Sequence, residues 1–93
     1  MNPIFQVPLP VVAMIRPTQL RAARSLLNWS RIKCGKTIGV SPDTIKSIEY
    51  GKSEPSIDTI DKVISGFAKS GVYFVDRDHA YGVWLTPIIE NGR

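Results

Sequence analysis

The residues able to do covalent or acid–base chemistry are few in this chain, and their spacing assembles no catalytic group. It holds one histidine, His79, and one cysteine, Cys34. No paired acid and base stands at a spacing that would serve proton transfer, so enzyme chemistry is not expected. A single cysteine closes no intrachain disulfide, and with one histidine it makes no metal-ligand cluster. Cys34 falls on the apolar face of a short helical stretch and reads as a small core residue. His79 falls in a polar turn and reads as a solvated side chain; no cofactor is expected. Positive charge is what the chain has in quantity: 12 Lys and Arg against 8 Asp and Glu, a formal +4. Arg16, Arg21, Arg24, Arg31, Lys33, Lys36, Lys46 and Lys52 lie close together, opposed within that span by Asp43 and Glu49 alone. Such a segment suits a polyanion, because each Lys or Arg set on a phosphate releases a condensed counterion. The bland alternative is a solvated basic face.

The elements that would carry these charges can be read from their caps and periods. With 93 residues, 43% hydrophobic and 22% charged, the chain has the composition of one globular domain. Leu20, Ala23 and Leu27 recur at helical spacing between Pro17 and Trp29, with Arg21 and Arg24 on other faces. Pro17 suits a first helical turn, and Asn28 closes the helix. Ser30 is an N-cap for a second, short helix to Ile38, stopped by Gly39. Ser41-Pro42-Asp43 joins a hydroxyl cap, a proline at the first helical position and a carboxylate at the positive helix end. It opens a third short helix, with Ile45 and Ile48 on one face, that ends at Tyr50-Gly51. Ser56 caps a fourth, which places Ile57, Ile60, Ile64 and Phe67 on one apolar face with Val63 beside them, before Ser70-Gly71. Beyond Gly71 the period changes. Val72 to Val75 and Gly82 to Thr86 are β-branched and aromatic runs flanking the polar stretch 76–80, which predicts a β-hairpin. A lone hairpin is marginal in water, so it should pack on the helices or pair across a dimer.

The expected organisation is an N-terminal extension over 1–15, a helical domain over 16–71, the hairpin over 72–88 and a tail over 89–93. The extension carries Pro3, Pro8 and Pro10 and lacks a basic leader; it reads as a segment outside the fold, or alternatively as an arm on a neighbouring subunit. It is too short to span a bilayer as a helix. With one unpaired cysteine, a reducing cytoplasm is the expected compartment.

Two short helices joined by a tight turn at Gly39-Val40 match helix-turn-helix geometry, in which the second helix enters the DNA major groove. Over residues 16 to 75, Leu20-Arg21-Ala22-Ala23-Arg24, Trp29-Ser30, Gly39-Val40-Ser41, Thr44-Ile45, Ile48-Glu49, Gly51-Lys52 and Pro55-Ser56 resemble the XRE family of Cro and phage-repressor-type regulators. The resemblance implies a mainly α, lambda-repressor-like fold of four to five short helices, followed here by the hairpin. It implies that Pro42, Asp43, Lys46 and Ser47 stand at base-reading positions, Asp43 as an acceptor for cytosine N4 and Lys46 as a donor to guanine. It places Arg31, Ser41, Thr44, Tyr50 and Lys52 near phosphates. The implied partner is double-stranded DNA, a palindromic operator bound by a homodimer through the fourth helix or the hairpin. The rival reading is an antitoxin-like module that masks a toxin or other protein, with DNA binding as autoregulation. Two departures from the family pattern suggest weakness: Arg16 in place of a capping hydroxyl, and Gly35 inside the second helix, at about 1 kcal/mol of helix propensity.

Overall fold

A computed structural model of the protein describes residues 14–77 and 80–86. Four helices and one hairpin follow in order: α1 (Pro17–Leu27), α2 (Arg31–Ile38), α3 (Pro42–Glu49), α4 (Ile57–Ala68), β1 (Val72–Arg77) and β2 (Ala80–Leu85). Of the expected extension 1–15, residues 1–13 lie outside the described residues, as do His79 and the tail, but Ile15 does not stay outside the fold and is buried in the core.

Caps set the boundaries. Ser30, Ser41 and Ser56 accept hydrogen bonds from the backbone N–H groups of Lys33, Thr44 and Thr59 at 3.0–3.1 Å, so each of the last three helices begins where its serine stands. The expected weak start of α1 is corrected by Gln19. Its Oε1 accepts from the Arg16 N–H at 3.0 Å, replacing the missing hydroxyl cap from inside the helix. Asn28, at φ 58°, turns the chain out of α1. Gly39, at φ 81°, does the same after α2, where a side chain would be strained.

The core gathers Leu20 and Ala23 from α1, Cys34 and Ile38 from α2, Ile45 and Ile48 from α3, Ile60, Val63 and Phe67 from α4, and Val72 and Phe74 from β1, with the partly buried Val83 of β2 packed against them. Phe67 sits at its centre, with Trp29 at 5.2 Å and Phe74 edge-on at 5.5 Å between ring centroids. The apolar stripe of α4 is rotated from the expected one. Ile57 is 79% exposed, while Gly66 is buried. A Cβ on Gly66 would stand 2.4 Å from Ile38 Cγ2, so it is the missing side chain that lets α4 close on α2.

Gly35 likewise corrects the expectation of a loose second helix. A Cβ there would lie 2.4 Å from the Val40 carbonyl oxygen. The turn after α2 folds back against its own helix, Val40 N–H donating to Gly35 O at 3.2 Å, and only glycine leaves room for it.

The hairpin is antiparallel, with Val72 opposite Leu85, Phe74 opposite Val83 and Asp76 opposite Tyr81. Both strands run further toward the turn than the apolar runs suggested, taking in Asp76, Arg77, Ala80 and Tyr81. Side chains alternate across a strand, so Val72, Phe74 and Val83 share the face that packs on the helices. Gln19 ties the layers together. Its Nε2 donates to both Val75 O and Gly82 O at 3.0 Å, entering the sheet from α1. Arg16 adds an ion pair to Asp76 at 2.9 Å and lies 4.0 Å above the Tyr81 ring.

Candidate nucleic-acid interface

The third helix is short, and its orientation rests on its inner face. Ile45 and Ile48 are essentially buried, and Val40 is buried just ahead of them. Glu49, the next residue along that stripe, is fully buried and is the polar anchor of the assembly. Arg24 grips its carboxylate with both arms, Nε to Oε2 at 2.6 Å and Nη2 to Oε1 at 3.0 Å. Arg31 Nε reaches Oε1 at 3.0 Å. Arg21 donates to the Glu49 backbone carbonyl, and Arg24 Nη1 donates to Trp29 O at 2.8 Å. One carboxylate thus links α1, α2 and α3. Among the described residues no buried side-chain polar atom is left without a partner, so this charge cluster meets the condition under which burial of charge is tolerated.

The sequence reasoning missed two of these roles. Arg24, expected on another face of α1, turns inward to Glu49. Glu49 served the sequence reading as a countercharge and as part of a resemblance, although its place four residues beyond Ile45 and next to Ile48 puts a carboxylate on an apolar stripe. That position was the available signal.

The opposite side of α3 is open. Pro42, Asp43 and Lys46 are exposed and Ser47 is half-buried. Positions 43, 46 and 47 stand three and four apart, so they share one face. No ion pair engages Asp43 or Lys46 among the described residues. Ser47 Oγ lies 2.9 Å from Ser53 Oγ, which ties it to the loop after α3. Ser41 Oγ caps the helix and also donates to Thr44 Oγ1 at 2.9 Å, so these two hydroxyls are already paired at its N-terminus.

The remaining candidates flank this face. Tyr50, the C-cap residue of α3, is 56% exposed and does not cover the core. Arg31 lies 5.4 Å from its ring centroid. Arg31 is therefore held by Glu49 and Tyr50 rather than extended freely from the start of α2. The hydrogen bond it donates to Glu49 is the main cause that raises its pKa above the ordinary arginine value, so it is always charged. Lys52 is exposed, and its backbone N–H closes the end of α3 on Ser47 O at 2.9 Å. Cys34 is fully buried among apolar side chains, and that desolvation pushes its thiol up to about 11. It packs, as its sequence position suggested. No helix among the described residues is long and apolar enough to cross a membrane.

A short helix held across another behind a glycine turn, its outer face polar and its rim basic, defines a helix-turn-helix DNA-binding domain. The helix-turn-helix family profile matches residues 20–74, more than half of the chain. The chain belongs to this XRE, or Cro-repressor-type, family of DNA-binding regulatory domains. No curated protein matches it at a significant level.

Proposed function

We propose that this protein is a sequence-specific transcriptional regulator, a repressor that binds a palindromic operator as a homodimer and reads each half-site with α3. The carrying observation is the two-sidedness of α3. Its inner face is clamped by Ile45, Ile48 and Glu49, so the outer face presents Asp43 and Lys46 at fixed positions with no competing ion pair among the described residues. A rigid helix with unpaired polar groups in its N-terminal half is the arrangement base-edge recognition requires.

In this reading Lys46 donates to guanine O6 and N7, Asp43 accepts from cytosine N4, and Ser47 and Pro42 line the groove. Arg31, Lys52, Thr44, Ser41 and Tyr50 set the register on the phosphates. Arg31 does so with its Nη groups, since Nε is committed to Glu49. Held by Glu49 and stacked near Tyr50, it would reach the backbone with little further ordering.

Fluorescence anisotropy tests the proposal with two duplexes, one from upstream of the protein's own gene and one scrambled, at two salt concentrations. Selective binding to the first that weakens steeply with salt is expected. Equal, weak binding to both would favour the protein-masking module instead.

A further inference from the structure

The hairpin leaves an edge whose geometry is self-complementary. In an antiparallel pair, residues alternate between those that exchange hydrogen bonds across the ladder and those whose N–H and C=O point outward. Two observations fix which are which. Gln19 Nε2 contacts Val75 O and Gly82 O together, each at 3.0 Å, so the two oxygens of this opposed pair lie within the ladder rather than on its opposite outer edges. Thr86 N–H donates to Gly71 O at 2.8 Å, the same phase four positions along β2. The N–H and C=O groups of Tyr81, Val83 and Leu85 therefore point away from β1, along the free edge of β2. No backbone partner meets them there among the described residues.

That edge carries none of the usual guards against pairing. From Ala80 to Thr86 there is no charge and no proline. The exposed large apolar residues of the hairpin are Tyr81 and Leu85, 50% and 39% exposed. They sit symmetrically about Val83. A shallow cleft lined by Thr18, Gln19, Ala22, Tyr81 and Gly82 runs beside the edge, its α1 wall uncharged.

We propose that β2 pairs with β2 of a second copy of this chain, antiparallel about a two-fold axis at Val83, making a continuous four-stranded sheet. Tyr81 then faces Leu85 of the other copy twice over, beside the α1 cleft, and Val83 faces its own copy. An uncharged strand laid against itself places no like charges together. All three outward-facing residues find backbone partners, and a marginal two-stranded sheet becomes a four-stranded one. The pairing is isologous, as closed two-fold dimers require. This assigns an interface to the dimer of the operator-binding reading, and it rests on that reading only for its purpose.

The test uses the intact chain without DNA. Leu85→Pro removes an outward N–H and no bond within the hairpin, and proline is tolerated at such edge positions. Tyr81→Pro removes the other outward N–H of the same Tyr81–Leu85 pair. Light scattering at micromolar concentration is expected to show twice the chain mass for wild type and the chain mass for both variants, with unchanged far-ultraviolet circular dichroism. Amide exchange in wild type, which depends on no variant, should show the Tyr81, Val83 and Leu85 amides exchanging at least about tenfold more slowly at micromolar concentration than after dilution to the monomer. A monomeric wild type, a dimer indifferent to both prolines, or fast exchange at these three amides in a dimer would overturn the proposal; the last two would move the interface to another surface, such as the exposed start of α4 at Ile57. A dimer built this way that selects no duplex would leave the edge assignment standing and remove the operator reading.

Discussion

Replacing Glu49 by alanine should be among the most damaging single changes on the inner side of α3. The substitution deletes the acceptor of a bidentate pair with Arg24 at 2.6 and 3.0 Å and leaves a guanidinium whose side chain is only 18% exposed without its partner. Breaking a buried pair from one side costs about 3–5 kcal/mol. Arg24 retains its bond to Trp29 O and some access to water, so the lower end, about 3 kcal/mol, applies to this pair. A domain of this size has about 5–15 kcal/mol in total. At about 4–8 °C per kcal/mol, Tm should fall by about 12–24 °C. Thermal and urea unfolding of wild type, Glu49→Ala, Arg24→Met and the double variant would measure it. The double variant should be less destabilised than the sum of the single ones by at least about 1 kcal/mol, because the second change removes a charge already stranded by the first. A loss below about 0.5 kcal/mol for Glu49→Ala, or strict additivity, would refute the clamp as the element that orients α3.

Three further outcomes follow from the packing. Gly35→Ala should destabilise by about 1–3 kcal/mol in urea unfolding, despite alanine's better helix propensity, because its Cβ meets the Val40 carbonyl. Gln19→Leu should cost about 1–3 kcal/mol and speed amide exchange across the hairpin, since the Val75 and Gly82 carbonyls lose the donor that ties them to α1. Cys34, held neutral in the fold up to about pH 11, should resist alkylation at pH 8 until the protein unfolds. Its folded pKa is raised above the unfolded value, so the unfolded chain loses this proton first, and stability falls as pH rises from the unfolded thiol value toward 11. Cys34→Ala should flatten that part of the stability–pH curve relative to wild type.

Local chemistry made most of the fold legible before any coordinates. Each serine cap and the glycine or asparagine stops fall where hydroxyl and left-handed preferences placed them, because a cap involves only neighbours in sequence. Long-range compensation was less visible. Arg16 looked like a poor cap until Gln19 was seen to serve both its backbone and the hairpin. Ile57 fits the apolar period of α4 yet lies in solvent, since the period gives a stripe and not which end of it finds a neighbour. Gly35 looked like a propensity defect, and its reason is a carbonyl five residues away. At the interface, the outward face of α3 followed from where Ile45 and Ile48 point. The commitment of Arg31 to Glu49 did not, because a charge count treats each basic residue as exposed, and a buried carboxylate that collects two of them is a tertiary fact.

The central claim, that α3 reads base edges, is tested most directly by selecting bound duplexes from a randomised pool with wild type and with Lys46→Ala and sequencing both. Wild type should return a palindromic site, and Lys46→Ala should lose preference at one guanine-containing base pair in each half-site, at a cost of about 1–3 kcal/mol there, while the other positions are kept. An unchanged preference at every position, or uniform weakening with no change in pattern, would place base reading elsewhere and contradict the claim.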